Sequence, residues 1–292
     1  DSSCALPLIA LQYHHVRVNI ELRRLSELVV ERFENPAYDP SGTGGALIRY
    51  HYRQPTSLSA NLVNCSLWVD YVFLDNEERM RFARLPHEYL IEQLQFSEEV
   101  INGGKSKPKI NFNHPSKFLI WVAVHSDGES LNQWFNFSNE AFRYTDGGVD
   151  KGAIGLGTDD SRLDKNPNGI ASNPLANALI QLNGHDRFTR RSGNYFGWVQ
   201  HYQHSPNIPE LGLNMYSFGI HAADKQPSGT VNFSRIDNTV LDTNWNQYRS
   251  YDITTDSVTD TTYDVNARML IFSLNYNVLR IVSGMGGLAY SN

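Results

Sequence analysis

The sequence predicts an all-β protein built as an antiparallel sandwich or barrel. Three observations carry that prediction. Apolar and polar residues alternate with a period of two in several runs, turn residues punctuate short strand-like runs, and long helical periods are scarce. Composition agrees, since 14 Phe, 15 Tyr and 5 Trp suit strands and large buried contacts. A chain of 292 residues is longer than one typical domain and can bury a sizeable core. Pattern alone leaves open the choice between a jelly roll and an immunoglobulin-like sandwich.

The elements follow in order. Val16, Val18, Ile20 and Leu22 alternate with Arg17, Asn19 and Glu21, the pattern of a half-buried strand. Leu67, Val69, Tyr71 and Phe73 form one face of a second strand. Trp68, Val72 and Leu74 make its other face apolar too, which predicts a strand inside a sandwich. Asp75 then starts a short helix, with Glu78 at the third helical position as in a capping box. Pro86 disfavours helical angles at Leu85, so the helix ends there. A domain junction is expected near Leu85–His87.

Beyond the junction, strand-like runs occur at Tyr89–Phe96, Phe118–Val124, Ala178–Leu182, Met215–Ile220 and Arg268–Val282. Asn183–Gly184 is a tight-turn signal. Asp146–Asn177, rich in Gly, Asn, Asp and Pro, and Asp237–Asp264, rich in Thr and Asp, read as long polar loops. No short-period internal repeat is evident.

Charge limits the partners. Lys and Arg number 25 against 31 Asp and Glu, a net charge of −6. Coating DNA by neutralising phosphates calls for a basic surface, so no direct nucleic acid binding is expected. No run of eighteen apolar residues is present to span a membrane as a helix. Cys4 and Cys65 are too few for a disulfide framework and read as free thiols.

Candidates for chemistry are few. His201 and His204 lie three apart in HYQH and could share a metal on a helix, but Trp198, Tyr202 and Pro206 predict strand or loop, and no third ligand is evident. His14 and His15 would point to opposite faces of their strand. Asp256, Asp260 and Asp264 recur every four residues without the glycine of an EF-hand and read as a solvated acidic loop. Gly152–Gly157, GAIGLG, follows no strand and opens no helix, so it reads as loop. Nucleophile-elbow, P-loop and dinucleotide motifs are absent, and neither catalysis nor a cofactor is expected. Three glycosylation sequons occur at Asn64, Asn136 and Asn232. The sequons read as coincidental, and Asn136, in an aromatic and polar stretch expected to be exposed, is the least implausible glycan acceptor among them.

Six ordered segments resemble a known family. They read LPLIALQYHHV (Leu6–Val16), WVDYVFLDNEER (Trp68–Arg79), LPHEYLIEQLQF (Leu85–Phe96), IQLNGHDRF (Ile180–Phe188), QPSGTVNFSRIDN (Gln226–Asn238) and NYNVLRIVSGMGGLAYSN (Asn275–Asn292). Together they resemble the major capsid proteins of large icosahedral double-stranded DNA viruses, most closely those of algal viruses. The resemblance implies a double jelly roll, two antiparallel eight-stranded β-sandwiches. Residues 1–86 would be the C-terminal part of the first, incomplete here without its front strands, and residues 87–292 the whole of the second. It further implies a structural virion protein that assembles in the host cytoplasm. Homotrimeric, pseudo-hexagonal capsomers would tile an icosahedral shell, alongside neighbouring capsomers, minor capsid proteins and an internal viral membrane beneath. A carbohydrate-binding or carbohydrate-cleaving jelly roll is the alternative, supported by the abundant aromatics, Asn and Asp.

Overall fold

The computed structural model describes residues 5–29, 63–126, 132–139, 173–206, 211–248 and 267–290, Pro55, and the backbone of the short strands between these stretches. In chain order the strands begin with β1 (Glu31–Glu34), β2 (Tyr50–Arg53), β3 (His87–Val100), β4 (Lys105–Ser106), β5 (Lys109–Ile110) and β6 (Pro115–Val124). Next come β7 (Tyr144–Thr145), β8 (Gly148–Val149), β9 (Leu175–Leu182), β10 (His185–Asp186), β11 (Arg191–Ser192) and β12 (Asn214–Ser217). The last are β13 (Val231–Asn232), β14 (Thr239–Trp245), β15 (Arg249–Asp252), β16 (Ser257–Asp260), β17 (Arg268–Val282) and β18 (Met285–Leu288). Two α-helices are described, α1 (Asn76–Arg84) and α2 (Gln200–His204).

β17 is the spine of one sheet. Along one edge it pairs antiparallel with β3, from Arg268 opposite Val100 to Ile281 opposite His87. Its other edge is shared between β6, over Arg268–Asn275, and β18, over Leu279–Val282. β12 and β13 pair with the far edge of β6. The second sheet is centred on β14, which pairs with β9 on one side and with β4 and β5 on the other, while β10 and β11 pair with β9.

Alternation puts every second residue of each strand between the sheets. Leu119, Trp121, Ala123, Met269 and Ile271 from the first sheet meet Ala178, Ile180 and Leu241 from the second. Phe196 enters the same core and meets Trp121 edge-on, with ring centroids 5.1 Å apart. Burying these aromatic and branched side chains contributes on the order of 2 kcal/mol each.

Several local expectations hold. The Asp75 carboxylate accepts the Glu78 N–H at 2.8 Å, and α1 stops at Arg84, with Leu85 already extended before Pro86. β3 opens two residues after Leu85. Asn183 and Gly184 take φ of +52° and +81° in the turn that closes β9 onto β10, as a two-residue hairpin of the I′ type requires.

Others need correction. Val16–Leu22 and Leu67–Phe73 have no regular secondary structure, and their apolar side chains are exposed, Trp68 and Phe73 by about nine-tenths. Alternation gives a strand its two faces but not its neighbour, and among the described residues none pairs with these segments. The polar stretch Asp237–Asp264 contains β14, β15 and β16, because Asp242 and Asn244 on the outer face of β14, and threonines on its inner face, hide its buried Leu241 and Trp245. The stretch Asp146–Asn177 includes β8 and ends in β9; residues 150–172, including GAIGLG, lie outside the described residues. The strand expected over Met215–Ile220 spans Asn214–Ser217.

Candidate assembly surface

The outer faces of the two sheets differ in chemistry. On the second sheet the outward positions carry Asn177, Gln181, Asp242 and Asn244. They are tied together by Asn244 Nδ2 to Asn177 Oδ1 at 2.8 Å and by Arg190 on Asp242 at 2.8 Å. Such a face is satisfied in water. The outward face of the first sheet is apolar. β3 presents Leu90, Leu94, Phe96 and Val100, all more than half exposed, beside the half-buried Leu270, Phe272 and Leu274 of β17 and Phe118 and Ile120 of β6. The Phe96 and Phe272 rings meet across the strand pair in a tilted contact, with centroids 5.1 Å apart.

Charges frame that face as paired groups. Glu88 meets Arg280 at 2.9 Å near one end of β17, and Glu98 meets Arg268 at 2.7 Å near the other. Exposed pairs of this kind add roughly 0–1 kcal/mol, so they mark a rim and leave the fold to the core. Lys117 differs, being 3% exposed. Its Nζ donates to Glu92 Oε1 at 2.6 Å and to the Asp224 carbonyl at 2.8 Å, and lies 5.3 Å from the centre of the Tyr276 ring. An apolar centre inside a polar rim is the anatomy of a protein–protein contact.

The N-terminal segment is held on the sandwich at two places. Tyr13 N–H donates to Gly284 O at 2.9 Å in the turn after β17. A Cβ at Gly284, whose φ is +83°, would lie 2.6 Å from the Tyr13 ring, so only glycine fits. Farther on, Asn132 Nδ2 donates to Ser26 O and Val29 O, Trp134 Nε1 donates to Glu27 O at 2.6 Å, and Arg23 lies over the Trp134 ring at 3.8 Å. Nothing in the sequence flagged Trp134 or Lys117 for these roles, because their partners are distant in the chain.

The residues singled out for chemistry fall as follows. HYQH is helical, contrary to the strand or loop expected. Phe196, Gln200 and His201 are its buried face, a helical spacing that the neighbouring aromatics masked. His201 Nε2 donates to Leu213 O at 3.3 Å, and His204 Nδ1 lies 2.8 Å from Ile220 O, so both rings serve backbone carbonyls. His14 and His15 are exposed on irregular backbone and not on a strand. Asp256 and Asp264 lie outside the described residues, and Asp260 closes β16. No group of three His, Cys, Asp or Glu suited to a metal occurs among the described residues. Cys65 is an exposed free thiol, whereas Cys4 lies outside the described residues. No described helix is long and apolar enough to cross a membrane.

The exposure expected at Asn136 is corrected. Its side chain is buried, with Nδ2 donating to Gln133 Oε1 at 3.0 Å and Oδ1 accepting from the Ser138 hydroxyl at 2.7 Å. The sequon has folded on itself as an Asx turn, and a glycan on the buried Nδ2 would have to displace the residues around it. Asn232 caps the short turn Phe233–Arg235 by accepting the Ser234 N–H. Asn64 is exposed.

Burial lowers the pKa of His201 below its ordinary 6.5, with the hydrogen bond to Leu213 opposing in part. The unfolded chain therefore binds a proton here that the folded chain refuses. Stability from this group is intact above pH 6.5 and declines as pH falls from there through the lowered folded value. Thermal unfolding across pH 7.5 to 5 should show that decline, and His201→Leu should flatten it.

Comparison with known proteins places this architecture. A family model described as large eukaryotic DNA virus major capsid protein matches residues 78–287, and one described as major capsid protein N-terminus matches residues 1–75. The chain belongs to the large eukaryotic DNA virus major capsid protein family. Among its relatives, the major capsid protein of Paramecium bursaria Chlorella virus 1 is 40% identical over 309 residues, covering 99% of this chain and 63% of the relative. That of Phaeocystis pouchetii virus is 38% identical, covering 99% and 62%. The chain thus spans less than two thirds of the length of these curated relatives. The crystal structure of PBCV-1 VP54, fitted into a reconstruction of the virophage Sputnik, shares 39% identity and a TM-score of 0.57, covering 76% of this chain and 56% of that one. A quasi-atomic model of the PBCV-1 virus capsid gives 39% and 0.56. The all-β, double jelly-roll class expected from the sequence stands, and the carbohydrate-binding reading finds no support among these relatives.

Proposed function

We propose that this capsid-family chain is a structural subunit of a virion, acting by assembly and not by catalysis. Its trimers form pseudo-hexagonal capsomers that tile an icosahedral shell assembled in the host cytoplasm. Neighbouring capsomers, minor capsid proteins and an internal viral membrane are its partners, and the genome is not contacted directly. Residues 87–292 form the second jelly roll and residues 1–86 belong to the first. The observation that carries this reading is the match to both capsid family models, over residues 1–75 and 78–287. The net charge of −6 supports a shell that leaves the nucleic acid to other components.

A closed sandwich suits the role. It is a rigid body whose backbone is largely paired within its sheets, so loops can vary without disturbing it. The test is native mass measurement, paired with a glycan-binding screen. A stable trimer supports the reading. A monomer that saturates with sugar would replace it with the carbohydrate-binding alternative.

A further inference from the structure

The outer face of the second sheet satisfies its amides but not its charge. Lys105, Lys107 and Lys109 are exposed along β4 and β5 at one side of the sheet, and Arg187, Arg190 and Arg191 are exposed around β10 and β11 at the other. The three strand steps from β11 to β4 span about 14 Å, so all six cations fall in one footprint. Asp186 and Asp242 are the acids of these strands. Asp242 is already shared, 2.8 Å from Arg190 and 3.7 Å from Lys107, and Asp186 accepts from Gln181 at 2.7 Å. Six cations against two acids leave +4 over residues 105–110, 175–192 and 239–245, and since the whole chain carries −6, everything else carries −10.

Exposed edge lysines alone would do no more than discourage strand pairing. What marks this surface is the segment that follows β11. Arg191 lies 5.6 Å from the centre of the Tyr195 ring, and the helical run 195–204 exposes Trp198 by 48% and Tyr202 by 80%, about one α-helical turn apart. Its other side is buried through Phe196, Gln200 and His201. Arg, Trp and Tyr are the residues that anchor protein contacts, with lysines left to the rim.

We infer that the outer face of the second sheet, with the exposed side of the 195–204 helical run, receives the acidic surface of a second copy of this chain. The inference rests on the capsid reading above and names a surface that joins copies. Two chains of −6 repel at long range, so association favours orientations that oppose the +4 face to the remaining −10. The contact pairs two different surfaces, so it is heterologous and can repeat from copy to copy. It lies on the side of the sandwich away from β3 and β17, so it leaves their apolar face open to its own cover. Single-stranded nucleic acid also stacks on aromatic and Arg side chains, but a chain of −6 repels phosphates as a whole.

The test uses the full chain, assembled from a mixture of isotopically light and heavy copies and treated with a carbodiimide, which joins a lysine amine to a carboxylate at ion-pair distance. The expected result is amide links from Lys105, Lys107 or Lys109 to Asp or Glu of a differently labelled copy. Links confined to one label, as between Lys107 and Asp242, or no links, would overturn the inference. Association is then followed by sedimentation. Lys105→Glu combined with Lys109→Glu, and separately Tyr202→Ala, should each weaken it on the order of tenfold, with thermal unfolding unchanged. Unchanged association in either variant would sink the idea, as would salt-sensitive binding of a fluorescent single-stranded oligonucleotide that these same substitutions abolish. Native mass of the parent chain reports whether copies associate at all, so failure of the capsomer reading and failure of this surface are separately visible.

Discussion

Replacing Ile281 with Asp abolishes cooperative folding. Ile281 is 1% exposed, on the inward side of β17 between His87 of β3 and Gly286 of β18. The substitution removes about 2–3 kcal/mol of apolar burial and puts a carboxyl at a position only 1% exposed, a cost of several kcal/mol more. Against a typical total of about 5–15 kcal/mol, that sum leaves little or no stability. Val278→Asp, on the half-buried outward face beside Leu90, costs less, about 1–2 kcal/mol. Ile281→Val costs about 1 kcal/mol. Thermal unfolding followed by circular dichroism ranks the three. If Val278→Asp is lethal and Ile281→Asp is tolerated, the inner and outer faces of β17 have been exchanged.

Gly212→Ala is the second large effect, and it acts through backbone. Gly212 has φ of +90°, and a Cβ there would lie 1.9 Å from the carbonyl oxygen of Phe137. No side-chain rotation can relieve an overlap with a carbonyl, so the two loops must part. Together the left-handed backbone and the overlap cost about 3 kcal/mol. The displacement reaches Asn214, whose Nδ2 donates to Gly212 O at 3.0 Å, and His201, which donates to Leu213 O. Proteolysis near residues 132–139 and a lowered melting temperature should accompany it. Gly287→Ala, with nothing within 4 Å of its added carbon, serves as the neutral control.

The sandwich was legible because its strands carry their own record. LPHEYLIEQLQF and NYNVLRIV are rich in strand-forming residues, and they turn out to be neighbours, β3 against β17. The helix cap at Asp75 and the turn at Asn183–Gly184 were equally plain, since each depends on residues within four positions. What was hidden depends on partners far along the chain. A lysine that meets its glutamate 25 positions away leaves no local trace, nor does a tryptophan that holds a carbonyl 107 positions away. HYQH misled for a different reason, because Trp198 and Tyr202, which favour strands intrinsically, sit on the exposed side of a helix. The apolar outer face was half legible. Leu90, Leu94 and Phe96 are plain in the sequence, but only the register with Phe272 and Leu274 joins them into one surface.

The pairing of β3 with β17 also sets the order of events during synthesis. Gln95 and Asn275 bond across these strands from positions 180 apart in the chain. β3 leaves the ribosome first and must wait for β17, at about 5–20 residues per second, for roughly 9 to 36 seconds. Until then its aliphatic face and its unpaired backbone are both open, the condition under which nascent sheets associate wrongly. High contact order makes the closing step slow as well. Folding of this chain is therefore limited by how well its half-made sheet is protected, and its yield should rise with chaperone capacity in the producing cell.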